Sequence, residues 1–211
     1  MYVPKRFQAP GDSAIREVLA ATDFAPLISV QQGAVQVAHL PVLYREQGGQ
    51  HGGGYGIFRA HFARANPHWQ HLEDGEVLVI CQGPHGYISP AWYRDREVPT
   101  WDYIAVHAYC EPRIIHDQEE LKAIVRELMD VHETRTGTGQ SYDDYPAEFV
   151  QPQLNAIVGV ELTIRRIEAA FKLSQNRIPE DRESVCARLR ESNDPARAAL
   201  ADAIERYAPK K

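Results

Sequence analysis

Apolar positions recur along this chain at two periods, and each change of period marks a new element. Ile15, Val18 and Leu19 share one face of a short helix that Asp12 and Ser13 cap, ending before the break from Asp23 to Pro26. LISVQ and VQVAHLPVLY, rich in Val, Ile and Leu and separated by a turn around Gly33, read as a β-hairpin. The run EQGGQHGGGYG then reads as a flexible tip. It lacks the Lys-Ser/Thr ending with which a glycine loop holds nucleotide phosphates.

GIFRAH predicts a strand, and FARANPHW a helix interrupted or restarted at Pro67. EVLVICQG is apolar on both faces, as in a sheet covered on two sides. WDYIAVHAYCEPRII predicts a further long strand, and GPHGYISPAWY lies between these two. Asp117 with Glu120 forms a capping-box start for a helix over 117–133, whose stripe is Leu121, Ile124, Val125 and Leu128. A loop runs to Pro146. Ala156, Val158, Val160, Leu162 and Ile164 then alternate with smaller or polar residues, the clearest period of two in the chain. Pro179 and Pro195 open two terminal helices. Five or six uneven strands with added helices predict a mainly β fold, an antiparallel barrel rather than a wound parallel sheet. Regular strand–helix alternation and the Rossmann glycine fingerprint are both missing.

Composition narrows the picture further. The 211 residues, 44% hydrophobic and 25% charged, fit one folded domain rather than a disordered chain. No apolar run approaches the length of a membrane span, and MYVPKRFQAPGDS lacks an apolar signal core, so neither export nor membrane insertion is expected. Cys81, Cys110 and Cys186 are odd in number, far apart and free of CxxC spacing, which points to a reducing, cytoplasmic setting. The net charge of −6 argues against a surface that grips phosphate throughout. Only the segment from Ile164 onward is basic, with 11 basic against 8 acidic residues. A solvated helical face explains that excess more simply than a nucleic-acid patch.

The densest polar and aromatic stretch runs from His61 through Tyr103 and holds all three tryptophans, Trp69, Trp92 and Trp101. Such residues at strand ends suit a planar ligand, and they suit a subunit interface equally well. His39 and His107 lie in strands and read as core histidines. His61 and Arg64 offer donors at a strand end for an anionic group. No HExxH, GxSxG or zinc-deaminase signature occurs, so hydrolysis is unsupported. Glu161 reads as a glutamate on the wet face of a half-buried strand. KLSQNR, from Lys172 to Arg177, suits phosphate binding or anchoring of the tail, and anchoring is the simpler reading.

MYVPKRF, HFARANPHW, GPHGYISPAWY, VPTWDY and GVELTIRRIEAAFKLSQNR, in that order over nearly the whole chain, resemble the PaiB family of FMN-binding negative transcriptional regulators. The resemblance implies an FMN-binding split β-barrel with a C-terminal helical tail, related in fold to pyridoxine phosphate oxidases and flavin reductases. It implies a homodimer with ligand sites at the subunit seam. Residues 1–175 would form the barrel domain and 176–211 a helical extension packed on it. By the same resemblance, His61 and Arg64 would hold the FMN phosphate, with Asn66 in the same turn. Tyr87, Ser89 and Trp92 would lie near the isoalloxazine across the seam, and Arg177 would be a further anion partner. No catalytic residue and no metal ligand is assigned. Two features depart from the family pattern: Asp102 stands where the motif carries Asn, and the glycine-rich tip from Gly48 to Gly56 is longer. No histidine follows His132, which disfavours haem ligation through a C-terminal histidine. The family's name implies DNA as a partner, although no helix-turn-helix pattern is present. The alternative is a flavin-dependent oxidoreductase or redox sensor without direct DNA binding.

Overall fold

A computed structural model describes residues 1–46 and 54–207, so most of the expected glycine-rich tip lies outside the described residues. Seven strands form one antiparallel sheet: β1 Phe24–Gln31, β2 Ala34–Pro41, β3 Leu43–Arg45, β4 Ile57–Ala63, β5 Val77–Ile88, β6 Thr100–Ile115 and β7 Ile157–Lys172. Their spatial order is β2-β1-β5-β6-β7-β4-β3. The helices are α1 Asp12–Ala21, α2 Gln118–Thr136, α3 Ala147–Asn155, α4 Pro179–Glu191 and α5 Pro195–Arg206. Two compact units share these elements. One comprises Met1–Val18, Cys81–His107 and Glu168–Lys211, and the other Leu19–Ile80 and Ala108–Ile167.

In the second unit, β1 and β2 pair from Phe24↔Pro41 to Gln31↔Ala34. Gln32 and Gly33, both at positive φ, close the two-residue turn expected around Gly33. The run read as a single strand to Tyr44 divides at Val42, whose N–H donates to the Asp23 carbonyl at 2.9 Å instead of continuing the ladder. β4 pairs with β7 over seven positions, placing Phe58, Ala60 and Phe62 directly across from Leu162, Val160 and Val158. All six are essentially inaccessible to solvent, and cross-strand apolar pairs of this kind are the unit of sheet stability.

The opposite face of β7 is covered as well. A Cβ on Gly159 would lie 3.1 Å from both Ile115 Cβ and Leu121 Cδ1, so its missing side chain admits the end of β6 and the apolar stripe of α2. Leu121, Ile124 and Leu128 of that stripe are buried, and Ile124 and Leu128 cluster with Leu43 and Ile115. Asp117 caps α2 by accepting from the Glu119 and Glu120 N–H groups. Covering both faces of β7 corrects the reading of Glu161 as a solvated residue: it is 3% exposed. His39 departs the other way, lying exposed beside the Phe24 ring at 6.0 Å. FARANPHW starts as the end of β4, turns at Arg64 and Ala65, and enters a 3-10 helix, Pro67–Asp74, with Asn66 as its cap, where a broken helix was expected. α3 follows Pro146 where only a loop's end was read.

In the first unit, β5 continues past Gly83 to Ile88, so GPHGYI belongs to a strand rather than a connection. A Cβ on Gly83 would meet Ile104 Cβ at 2.9 Å; here glycine marks close approach, not a turn. α4 and α5 start at the expected prolines, with Val185, Leu189, Leu200 and Ile204 buried. Cys186 is buried between them, 3.7 Å from the Ala201 carbonyl, and burial pushes its thiol pKa up to about 11.

Candidate functional site

The first unit holds a polar cluster behind exposed aromatic residues. Asp102, on β6, is 1% exposed and accepts a 2.6 Å hydrogen bond from the Ser174 hydroxyl. Ser174 sits at φ +57, just after β7, where the chain reverses toward α4. Burial raises the Asp102 pKa, and the Ser174 hydrogen bond and the Lys172 charge only partly offset it. Lys172 donates to Thr100 Oγ1 and to the Trp101 carbonyl, and burial lowers its pKa. The Arg177 guanidinium lies over the Tyr93 ring at 4.4 Å and pairs with Glu97. The Tyr93 hydroxyl is buried without a hydrogen bond of ordinary geometry, and burial raises its pKa.

Of the candidates in this unit, Tyr87 is 47% exposed and meets Trp101, 55% exposed, edge to face with centroids 6.3 Å apart. Ser89 caps the short 3-10 turn Pro90–Trp92, accepting from the Ala91 N–H. Trp92 is half-buried, and its carbonyl accepts from the Ser184 hydroxyl at 2.7 Å. Arg177 follows the anchoring turn, in which the Gln175 side chain accepts from the Leu173 N–H and donates to the Phe171 carbonyl. KLSQNR therefore anchors the tail through side-chain to backbone bonds.

His61, Arg64 and Asn66 belong to the second unit. His61 lies across from Gly159 in the β4–β7 ladder. Its Nδ1 is buried with no hydrogen-bond partner, and burial lowers its pKa. Arg64 spends Nε on the Asn155 carbonyl and one Nη on the Ile157 carbonyl, both at 2.8 Å, closing the C-terminal end of α3. Its own carbonyl accepts from the Trp69 indole at 3.0 Å. Asn66 Oδ1 accepts from the His68 N–H, and His68 Nε2 lies 2.7 Å from the Ser29 hydroxyl. In the same unit, the buried Glu161 lies across from Arg59 and is held by it through two bonds of 3.0 and 3.1 Å and by Arg113 at 3.4 Å.

The structure thus groups Arg64 with Asn66, and Ser89 with Trp92, in shared turns. Sequence does not single out Tyr93 in one unit or Arg59 and Arg113 in the other, and it names Trp101 and Lys172 without an individual site role. Tyr93 and Trp101 stand inside the aromatic stretch, which was their available signal. Nothing local marks Arg59, whose partner lies 102 positions away.

Residues 1–166 match the family described as "Putative FMN-binding domain". Over 206 residues the chain is 31% identical to the Bacillus subtilis protein named protease synthase and sporulation protein PAI 2, covering 97% of each. Among solved structures, the FAD and haem binding protein from Mycobacterium smegmatis matches with a TM-score of 0.60 and 13% identity, covering 85% of this chain and 79% of that one. The flavocytochrome Anf3 from Azotobacter vinelandii matches with a TM-score of 0.57 and 13% identity, over 77% of this chain and 68% of that one. At such identity these two likenesses concern the fold, which is the split β-barrel with added helices. Among the described residues no helix is long and apolar enough to cross a membrane.

Proposed function

This chain belongs to the PaiB-type FMN-binding-domain family, and from that membership we propose that it is a homodimeric flavin-binding protein taking FMN at the subunit seam. The observation that carries the reading is the family match over residues 1–166 together with a relative aligned along 97% of the chain. When bound, the flavin supplies the electron chemistry, and the protein binds and orients it.

The residues present fit such a ligand. An isoalloxazine needs a flat apolar neighbour, and the exposed Tyr87–Trp101 pair offers one. Ser89 and Trp92 stand on the turn that follows Tyr87 by two residues. A phosphate needs donors. His61 has a buried nitrogen without a partner, Arg64 retains N–H groups beyond the two given to carbonyls, and Arg177 already holds one carboxylate. Asn66 shapes the turn that carries Arg64. We read residues 176–211 as a helical extension packed on the barrel domain, and the bonds from Arg94 N–H to Asp181 and from Ser184 to the Trp92 carbonyl support that packing.

Within this reading the protein acts either as a transcriptional regulator or as a flavin-dependent oxidoreductase or redox sensor without direct DNA contact. The ion pairs of the tail favour the second. Arg188 pairs with Glu191, Arg190 with Asp202 and Glu205, and Arg197 with Asp194 inside the tail, while Arg177 pairs with Glu97 and Arg206 with Glu17 outside it, so each of these guanidinium groups already holds a carboxylate.

Fluorescence titration with FMN, FAD and riboflavin tests the cofactor. FMN is expected to bind at least ten-fold more tightly than riboflavin, and equal affinity would remove the phosphate from the account. A promoter-fragment mobility shift at low salt tests the regulator; retardation that weakens steeply with salt would favour direct DNA binding over the sensor.

A further inference from the structure

The second unit carries a cavity of about 170 Å³ between the start of α2 and one face of α3. Val150 and Leu154 of α3 give it an apolar side, and Gln151 Nε2 donates to Gln118 Oε1 at 3.1 Å, joining the two helices beside it. The 3-10 turn Tyr142–Asp144 supplies a further wall. Ser141 caps that turn, accepting from the Asp143 N–H while the Asp144 carboxylate accepts from the Ser141 N–H at 2.7 Å. Tyr142 is thereby fixed, with the Arg126 guanidinium over its ring at 5.2 Å. It is 6% exposed, and its hydroxyl forms no hydrogen bond. The charges of Arg126, Asp143 and Glu119 all reach that hydroxyl, which stands among the polar groups of the cavity, and burial raises its pKa so that it remains a donor. Among the described residues Lys122 and Glu119, both in the lining, hold no ion pair. They stand three positions apart on α2, where side chains are neighbours, yet they do not pair with each other.

We propose that this cavity binds a free α-amino acid with a small apolar side chain. The ligand's carboxylate takes the Lys122 ammonium and the Tyr142 hydroxyl, its ammonium takes the Glu119 carboxylate, and its side chain lies on Val150 and Leu154. Charge selects the class. Arg126 already pairs with Asp143, so a lone anion would meet the unpaired Glu119 and a lone cation the unpaired Lys122. A zwitterion answers both, and hydrogen bonds between charged groups are the strong ones. Size sets the limit. A cavity of about 150 Å³ holds benzene, so this one suits about six to eight non-hydrogen atoms, the range from alanine to valine. A buried hydroxyl that finds its acceptor only in the complex favours the bound state. The site shares no residue with the flavin reading and does not depend on it.

Isothermal titration calorimetry of the full chain with L-alanine and L-valine tests the proposal. The comparators are isovalerate, which is valine without its ammonium, and isobutylamine, which is valine without its carboxylate. At least one of the amino acids is expected to saturate the site with a Kd of about 1 mM or tighter, at least about ten-fold below either comparator. Tyr142→Phe and Lys122→Gln are each expected to weaken that binding about ten-fold or more. Tyr142→Phe removes only a hydroxyl that bonds to nothing in the fold, so its melting temperature should not fall, and lost affinity then reports the site rather than unfolding. Both amino acids binding more weakly than about 1 mM would overturn the proposal. So would comparators that bind as tightly as the amino acids, or wild-type affinity in either variant.

Discussion

The Ser174 hydroxyl donates to the Asp102 carboxylate at 2.6 Å, across 72 positions of sequence, and ties the turn after β7 to the first part of β6. The carboxyl group has almost no solvent, and burial leaves the Asp102 pKa raised in spite of its hydrogen bonds to Ser174. Below the unfolded value of 3.8 both states hold the proton. As pH climbs toward the raised folded value the unfolded chain ionises first, so stability falls; above the folded value the loss is complete and constant. Asp102→Asn keeps an acceptor for Ser174 and removes the titration. Its melting temperature relative to wild type should therefore rise from pH 4 to pH 8. Parallel curves for the two proteins over that range would show that Asp102 is not buried in this way.

Glu161 is the counter-charge of Arg59 and Arg113 on the covered face of β7. Glu161→Gln leaves two guanidinium groups without it. Removing one partner of a buried pair costs about 3–5 kcal/mol. Both arginines retain about a third of their exposure, so solvent screening reduces the expected loss to about 2–3 kcal/mol. Urea denaturation measures it, and a change below about 0.5 kcal/mol would mean that the triad contributes no net stability.

His61 and Arg64 separate structural from ligand roles. The His61 Nδ1 forms no bond in the fold, so His61→Leu should leave stability within about 1 kcal/mol of wild type, since it removes a buried group that lacks a partner. On the flavin reading it should nevertheless weaken FMN binding about ten-fold or more, read by fluorescence titration. Arg64→Lys, by contrast, gives up the two-pronged grip on the Asn155 and Ile157 carbonyls and should cost about 1–2 kcal/mol. Unchanged FMN affinity in His61→Leu would remove that residue from the site.

These cases also show which parts of the molecule local sequence could reveal. α1, the Gln32–Gly33 turn, α2, α4 and α5 were readable because caps, prolines and apolar spacing act within a few residues. The end of β5 was not, because Gly83 and Gly86 resemble a turn until Ile104 and Leu200 are seen to need their space. Alternation along β7 correctly announced a strand, yet it could not report that α2 would cover the second face and bury Glu161. Locally, the stretch through Arg64 and Asn66 reads as part of a helix broken at Pro67, and only the family resemblance places it in a turn. The commitment of Arg64 to carbonyls at 155 and 157 depends on α3, whose pattern is too short and too broken by Pro152 to stand out.

The absorption spectrum of the purified protein, recorded after incubation with excess FMN and desalting, tests the central claim most directly. The account predicts flavin bands retained at close to one FMN per chain, and their loss in a variant carrying both His61→Leu and Arg64→Lys. A folded wild-type protein that emerges colourless would contradict it.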